Sequence, residues 1–308
     1  MAYHYLVLVK QVPDPKRVTG QAMTDEGVVD REALPPIFNP EDLNALEAAL
    51  ALRDKFGGKV TVLTMGPPMA AEVLREALYR GADAVALVTD KRFARADTLA
   101  TSYTLCQAIR KVGQFDLVFC GRQAIDGDTA QVGPQTAEKL NLPQITYVTE
   151  IVRLENDTLV AKREIEGGYE IVASPLPALL TITAAANIPR PPNAKRLLQF
   201  KKARTPTELW EELYRAARKQ KRNISQADLE QTYAQQLQTW EERGLLIPEW
   251  DLEDLNADPD RCGIRGSPTL VSKIERVVLT PTQFQAIEPT EEGIRHLLRD
   301  LRAQHVLE

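Results

Sequence analysis

Four short, strongly apolar runs separated by helical patterns constrain what this chain can fold into more than any other feature. The helical patterns extend over Glu41–Phe56, Ala70–Gly81 and Asp97–Val112. Apolar strands that alternate with helices are typical of a mostly parallel sheet covered on both faces. The sequence therefore predicts an α/β fold with a doubly wound, mostly parallel sheet, built on His4–Lys10, Val60–Gly66, Ala84–Thr89 and Phe115–Cys120.

The pattern changes after Leu140. Short alternating runs are separated by "END" at residues 155–157 and "EGG" at residues 166–168, which predict an antiparallel hairpin addition. The proline-rich stretch Asn187–Arg196 predicts an extended connector. Two capped helices follow, the first with Pro206 in its opening turn and the second with Ser225 and Asp228 as a capping box.

These patterns divide the chain into four parts. We expect an α/β domain over residues 1–186 and a connector and recognition loop over residues 187–203. A helical insertion over residues 204–250 and a C-terminal arm with a final helix over residues 251–308 complete the division. The two last parts form a helical C-terminal extension of the α/β domain.

Composition and charge exclude several classes of protein. The apolar share of 44% is ordinary for a chain with a real core, and no stretch approaches the ~20 apolar residues of a membrane helix. A net charge of −5, with acids and bases mixed, argues against nucleic-acid binding. The three cysteines lack CxxC spacing, which favours buried thiols. The first residues have the pattern of a strand and not of a signal peptide, so we expect a cytoplasmic protein.

Three segments are expected to meet where the parallel strands end. They are residues 8–10, residues 38–42 and the stretch "CGRQAIDGDTAQVGP" of residues 120–134. Open α/β sheets bind ligands at the carboxyl ends of their strands. Gly121, Gly127 and Gly133 predict a backbone that approaches a ligand closely. The pattern is equally compatible with a nucleotide site and with a plain polar connection between strand and helix.

Side chains in this stretch have assignable roles. We expect Thr129 to cap the following helix, whose free N–H groups suit a phosphate. Asp126 and Asp128 are assigned to loop hydrogen bonds, ribose hydroxyls or helix capping, because together they would repel a dianion. Arg122 is expected to neutralise a phosphate or to orient a ring system.

Two further positions admit more than one role. Asn39 before Pro40 predicts a helix N-cap with proline in the first turn. The same helix start would point at a ligand bound beside it. Met65, at the end of the second strand, is either a core residue or a ligand contact.

Seven pieces of the sequence carry a family resemblance: "VLVKQVPDP", "FNPEDLNALEAALALRDK", "VTVLTMGP", "VLREALYRGADAVALVTD", "CGRQAIDGDTAQVGPQTAEKLNLPQITYV", "REIEGGYE" and "LPALLTIT". In their order and spacing they resemble the beta subunit of electron transfer flavoproteins. The resemblance covers residues 1 to about 203, and "GRQAIDGDTAQVGPQ" is its most specific part. "CGIRGSPT" resembles the family's C-terminal region, whereas residues 205–250 match nothing expected of the family.

The resemblance implies a heterodimer with a larger alpha subunit that holds a redox FAD. The beta subunit holds AMP in simpler members and a second FAD in electron-bifurcating members. Carried over by position, the nucleotide site of this chain consists of Leu8, Asn39, Pro40, Glu41, Asp42, Met65, Gly121, Arg122, Gln123, Ala124, Ile125, Asp126, Gly127, Asp128, Thr129, Ala130, Gln131 and Val132.

The form of the glycine-bearing stretch favours FAD over AMP. Simpler members have "GKQAID" and a "TGQM" ending, whereas this sequence is similar to the bifurcating and nitrogen-fixation-associated group. The small Gly127 leaves room beside the pocket, and Arg122 offers a planar guanidinium to a flavin or its phosphates. We therefore expect FAD here, with AMP as the alternative, and a second FAD on the alpha subunit.

The resemblance implies an electron-transfer subunit. Electrons would pass between NADH or a dehydrogenase and an acceptor, which is ferredoxin, flavodoxin or a quinone oxidoreductase, by way of the alpha-subunit FAD. The alternative is a non-redox structural subunit whose bound AMP stabilises the alpha subunit and which docks dehydrogenases.

Three peripheral segments complete the expectations. Glu164 in "REIEGG" is either a contact for the alpha subunit's flavin domain or a solvated charge. The stiff stretch Pro189–Pro192 corresponds to the family's dehydrogenase-docking region, and Ala194 beside it, in place of a larger residue, speaks against acyl-CoA dehydrogenases. The helices that carry Trp210 and Trp240 are a docking platform or a surface decoration.

Overall fold

In the computed structural model, which describes residues 2–14, 34–219, 225–270 and 286–303, the four apolar runs form adjacent strands of one sheet. The strands are β1 His4–Val9, β2 Gln11–Pro13, β3 Pro36–Phe38, β4 Lys59–Met65, β5 Ala84–Val88, β6 Leu117–Gly121, β7 Gln144–Glu155, β8 Thr158–Ile165, β9 Gly168–Pro175, β10 Ala178–Ile182 and β11 Glu249–Trp250. The helices are α1 Pro40–Phe56, α2 Ala71–Arg80, α3 Thr98–Val112, α4 Val132–Leu140, α5 Ala194–Phe200, α6 Pro206–Lys219, α7 Gln226–Glu242 and α8 Glu291–Ala303.

The strand order confirms the predicted doubly wound sheet. Nine strands lie in the order β11-β5-β4-β1-β6-β10-β7-β8-β9, and β1 pairs in parallel with both β4 and β6. The chain moves outward from β1 to β4 and β5 and then crosses back to β6, on the other side of β1. Such a reversal leaves a crevice at the carboxyl ends of the two central strands, where open α/β sheets bind ligands.

Successive residues of the central strands enter two different cores. Tyr5 and Val7 pack into the core that contains α1 and α2. Leu6 and Leu8 point the opposite way, into the core that contains α3 and α4. Side chains alternate between the faces of a strand, so a strand covered on both faces must be apolar at every position. This explains why the runs show no alternation with polar residues.

The hairpin addition is confirmed, but one strand in it returns to the centre of the sheet. β7, β8 and β9 pair antiparallel around turns at Asn156–Asp157 and at Gly167, all with positive φ. β10 then lies between β6 and β7, parallel to both. All five residues of β10 are buried, which is the property of a central strand.

The connector is shorter than predicted. Residues 187–193 have no regular structure, but α5 begins at Ala194, so the extended assignment is wrong for residues 194–196. The prolines end at Pro192, and Asn193 supplies a cap whose Oδ1 accepts a hydrogen bond from Arg196 N at 3.1 Å. Arg196 Nε donates to Leu78 O at 2.6 Å, which fastens α5 to α2.

The helical part after the connector is capped as the sequence predicts and is joined to the sheet. Ser225 Oγ accepts a hydrogen bond from Asp228 N at 3.2 Å. Trp210 packs edge-on against Tyr233, with ring centroids 5.2 Å apart. Because β11 pairs in parallel with β5, the chain returns from α7 to the edge of the central sheet.

The chain divides into two compact units, Met1–Leu270 and Val271–Glu308. The described residues of the second unit are 286–303 and contain α8. Directly before this helix, Thr290 Oγ1 accepts a hydrogen bond from Gly293 N at 3.1 Å. Within the described ranges, no helix is long and apolar enough to cross a membrane.

Arg75 provides a test of how α6 is held to α2. Its side chain is 4% exposed and pairs with both carboxylate oxygens of Glu208, at 2.8 and 2.9 Å. We expect Arg75→Met to lower the free energy of unfolding by about 2 kcal/mol, less than for a fully buried pair, because Glu208 stays partly hydrated. Unfolding in urea measures this change in the free energy of unfolding. Arg215→Met, an exposed change on α6, should alter stability little, and equal effects of the two variants would contradict this account.

Candidate functional site

A buried carboxylate joins the carboxyl ends of β1 and β6. Asp42 Oδ2 accepts a hydrogen bond from Lys10 N at 2.8 Å, and Oδ1 accepts one from Gly121 N at 2.9 Å. Asp42 is 6% exposed. Burial raises the pKa of Asp42 to about 7, although the hydrogen bonds from Gly121 N and Lys10 N act in the opposite direction. The first turn of α1 is thereby fixed over the crevice.

Asn39 ties the start of α1 to the β6–α4 loop, residues 122–131. It stands in the N-cap position with Pro40 after it, as predicted, but within the described residues its side chain makes no capping hydrogen bond. Instead Nδ2 donates to Gln123 O at 2.9 Å, and Oδ1 accepts from Ile125 N at 3.1 Å. Asn39 is 0% exposed, so this amide is an internal fastening of the loop.

Glu41 and Arg122 form the next contact across the crevice. Glu41 Oε2 accepts a hydrogen bond from Gln123 N at 3.1 Å, and Oε1 lies 3.1 Å from Arg122 Nη2. The guanidinium also lies over the ring of Tyr147, 5.6 Å from its centroid. Arg122 Nε is buried and has no acceptor among the described residues. Arg122 is therefore oriented by the protein and keeps one unused donor.

The aspartates of the loop make polar contacts at the surface of the site. Lys10 Nζ lies 2.7 Å from Asp126 in an exposed ion pair. Gln123 Nε2 donates to Asp128 Oδ1 at 3.0 Å. Asp128 thus makes one of the expected loop hydrogen bonds, whereas the ion pair of Asp126 was not among the roles expected.

The three glycines of the stretch serve different purposes. An ideal Cβ at Gly121 would lie 2.5 Å from Asp42 Oδ1, and one at Gly133 would lie 2.7 Å from Cys120 Sγ. These two glycines let the protein pack against itself, which is a role that the sequence did not predict for them. No described atom lies within 4 Å of a Cβ at Gly127, which is exposed. Only Gly127 leaves open space beside the loop.

The cap predicted for α4 is wrong. The helix begins at Val132, with Gln131 in the N-cap position, two residues later than a cap at Thr129 requires. The loop is kept from becoming helical because Asp128 and Ala130 have positive φ values of 51° and 53°. No described side chain caps α4, so its first N–H groups face the loop without that partner.

The remaining predicted residues lie around this centre. Leu8 is buried in the α3–α4 core, and Met65 packs partly buried against the same core. Ala124 O accepts a hydrogen bond from Asp128 N at 2.9 Å and closes the turn of the loop. Gln131 Oε1 accepts one from Thr98 Oγ1 at 2.9 Å. The hydrogen bonds described thus gather Asn39, Glu41, Asp42 and the loop into one site.

Sequence reasoning missed two contributors to the site. Lys10 belongs to a segment expected to converge here, and its position directly after β1 was the available signal. Tyr147 has a positive φ of 58° at an irregularity in β7, where its N–H donates to Thr181 Oγ1 at 3.0 Å. No sequence signal indicates Tyr147, because its place depends on β10 lying between β6 and β7.

The site contains amides, carboxylates and one guanidinium. No group of three or more potential metal-ligating side chains occurs among the described residues. The three cysteines are buried and unpaired, which confirms the expected buried thiols. Polar main-chain groups and carboxylates dominate the crevice, together with the guanidinium of Arg122.

Comparison with known proteins identifies the family. A model of the electron transfer flavoprotein domain matches residues 26–206, more than half of the chain. The chain belongs to the electron transfer flavoprotein family. This confirms the resemblance inferred from the motifs, including the motif that forms the β6–α4 loop.

Full-length relatives are beta subunits and proteins of related complexes. The chain is 41% identical over 306 residues to the electron transfer flavoprotein subunit beta of Thermoanaerobacterium thermosaccharolyticum. The alignment covers 98% of this chain and 99% of the relative. It is 38% identical over 302 residues to Protein FixA of Bradyrhizobium diazoefficiens, with 96% and 90% covered. It is 40% identical over 267 residues to the caffeyl-CoA reductase-Etf complex subunit CarD of Acetobacterium woodii, with 86% and 85% covered.

These relatives correct one expectation about the helical part. The domain model ends at residue 206, but the first of the relatives aligns with 98% of the chain. Residues 205–250 must lie largely within that alignment. The expectation that this segment matches nothing in the family is therefore wrong.

Asp42 predicts a pH dependence of stability. Its pKa is about 7 in the folded chain against 3.8 for an unperturbed aspartate, so between these values the folded state binds more protons than the unfolded state. The stability contributed by this group must then fall as the pH rises from about 4 to 7 and stay level above that. We expect the difference in free energy of unfolding between the parent and Asp42→Asn to follow this course in urea titrations. A flat difference for Asp42→Asn would refute the assignment.

Replacement of glycine by alanine should affect the stability of the protein differently at Gly121 and at Gly127. Gly121→Ala should lower the free energy of unfolding by about 2 kcal/mol, because the new methyl group meets Asp42 and the backbone of Glu41. Gly127→Ala should change it by less than about 0.5 kcal/mol, because the methyl group enters open space. Thermal and urea unfolding of both variants measure the contrast. Equal destabilisation by the two variants would show that the packing at Gly121 is not tight.

Proposed function

We propose that this chain is the beta subunit of a heterodimeric electron transfer flavoprotein and binds an adenine nucleotide, preferably FAD, at the β6–α4 loop. In this proposal it passes electrons between NADH or a dehydrogenase and a ferredoxin- or quinone-linked acceptor, by way of the alpha-subunit FAD. The single observation that carries the proposal is the assembly of Asn39, Glu41, Asp42 and the loop at the switch point of a sheet that belongs to this family.

The start of α4 fits the phosphates of a nucleotide. Its first N–H groups have no side-chain cap among the described residues, and a helix N-terminus attracts anions through these groups and its dipole. The side chains around the loop carry more negative than positive charge, from Glu41, Asp42, Asp126 and Asp128 against Lys10 and Arg122. Main-chain donors must therefore provide most of the attraction for a phosphate.

The side chains of the loop fit the remaining parts of the ligand. Asp128 is exposed and is the acceptor that ribose hydroxyls require. Arg122 is oriented by Glu41 and Tyr147, and the exposed part of its guanidinium can meet a ligand oxygen. FAD bound here would supply the one- and two-electron chemistry, while the residues of this chain would bind it and orient its ring.

The open space at Gly127 supports FAD over AMP. A flavin extends the ligand well beyond the adenosine, and a side chain at this position would project into the space beside the loop. The alternative remains a non-redox subunit whose bound AMP stabilises the assembly and which docks dehydrogenases. In either case the partner is an alpha subunit, and two of the relatives described are named as subunits, one of an electron transfer flavoprotein and one of a caffeyl-CoA reductase-Etf complex.

Nucleotide content of the complex tests the proposal. The chain is co-expressed with its alpha subunit, the complex is purified, and flavin and AMP are counted per heterodimer after acid extraction. Two flavins are expected. One flavin with one AMP would favour the structural alternative, and an absence of any nucleotide from the beta subunit would refute both.

A substitution at Gly127 locates the bound nucleotide. Gly127→Val should weaken nucleotide binding about tenfold by filling the open space, with an unchanged urea midpoint. Gly168→Val is the matched control, because Gly168 also has open space around it and lies in a remote hairpin. Unaltered affinity in Gly127→Val would place the nucleotide elsewhere.

A further inference from the structure

The segment Cys262–Thr269, here called the strap, is fastened to the start of α3. Asp97 Oδ2 accepts hydrogen bonds from Thr269 N at 3.2 Å and from Thr269 Oγ1 at 2.7 Å. Asp97 N donates to Ser267 Oγ at 2.8 Å, and that hydroxyl donates to Gly263 O at 2.7 Å. The strap is the motif "CGIRGSPT", which the nucleotide loop by itself does not explain.

The shape of the strap is fixed by its own packing. Gly263 has a φ of 50°, and a Cβ there would collide with the carbonyl oxygen of Arg92. A Cβ at Gly266 would collide with the backbone of Arg261. Cys262 is 1% exposed and anchors the segment in the α3–α4 core. The strap therefore presents Ser267 and Thr269 to Asp97 from a rigid base.

Contacts continue from Asp97 to the end of the β6–α4 loop. Asp97 Oδ1 caps α3 by accepting hydrogen bonds from two N–H groups of its first turn, at 2.9 and 3.0 Å. The next residue, Thr98, donates through Oγ1 to Gln131 Oε1 at 2.9 Å and accepts from Gln135 Nε2 at 3.3 Å. Gln131 is the N-cap residue of α4, so the start of α3 holds the start of α4.

We propose that the strap sets the conformation of the β6–α4 loop through Asp97, which acts as a positioning residue for nucleotide binding. The first half of the loop is held by Asn39 and Glu41, and its second half is held at Gln131. Between these fastenings lie Asp128 and Ala130, whose left-handed conformation persists only when the surroundings enforce it.

Loss of the strap contact releases the second fastening of the loop. The start of α3 then no longer holds Thr98 against Gln131, and the left-handed residues relax. The N–H groups at the start of α4 lose their alignment for an anion. The effect on nucleotide affinity rests on the proposed function, whereas the ordering of the loop does not.

Two variants of the full-length chain separate the strap contact from helix capping. Asp97→Asn keeps an Oδ1 that can cap α3 but replaces the acceptor for Thr269 with an amide donor. Thr269→Val removes the hydroxyl of an exposed residue and leaves the cap intact. Thr269→Ser, which retains the hydroxyl, is the matched control.

Hydrogen–deuterium exchange and titration with FAD and with AMP measure the outcome. In Asp97→Asn and Thr269→Val, amides of residues 122–131 should exchange about five- to tenfold faster, and the affinity for the nucleotide should fall by a similar factor. Exchange in β8 and β9 should not change. Thr269→Ser should behave as the parent.

The possible outcomes distinguish the two proposals. Unchanged exchange in residues 122–131 would overturn the role of the strap, and so would faster exchange throughout the sheet, because that indicates general destabilisation. Faster exchange confined to the loop in a chain whose parent binds neither FAD nor AMP would support the strap and contradict the proposed function. Loop-specific exchange together with weaker nucleotide binding supports both.

Discussion

The buried carboxylate of Asp42 is the interaction on which the candidate site depends. Its two oxygens accept hydrogen bonds from the N–H of Lys10, which follows β1, and from the N–H of Gly121, the last residue of β6. These groups lie where the parallel ladder stops and would otherwise be buried donors without acceptors, which is costly. A side chain from the first turn of α1 supplies the acceptors, so helix, strands and loop are assembled by one group before any ligand is bound.

The arrangement also determines what kind of binding the site offers. Most of its charged side chains are engaged with one another: Arg122 with Glu41, and Lys10 with Asp126. Cations that are already paired attract an anion weakly, whereas aligned main-chain N–H groups lose little by binding one. Under the proposed function, such a surface suits a ligand that is held mainly by shape and backbone contacts.

The sequence predicted the structure correctly where the residues of one local segment determine it. Apolar runs predicted the central strands because both faces of the sheet are covered, and the capping box of Ser225 and Asp228 was correctly predicted. The sequence was less informative where contacts between distant segments determine the structure. The position of β10, the late start of α4 after two left-handed residues, and the self-packing of Gly121 depend on contacts between remote parts of the chain. Recognition of the family motif located the site, but the partners of its side chains came only from the fold.

The alternation of β1 between two cores has a consequence for how the chain avoids misassembly. A slip of β1 by one residue would turn Tyr5 and Val7 toward the α3–α4 side and Leu6 toward the α1–α2 side. The same slip would carry Lys10 N away from Asp42 and leave a buried carboxyl group short of a donor. Hydrophobic packing and hydrogen bonding therefore both destabilise the slipped register of β1. The two effects together favour the native register of the central strand.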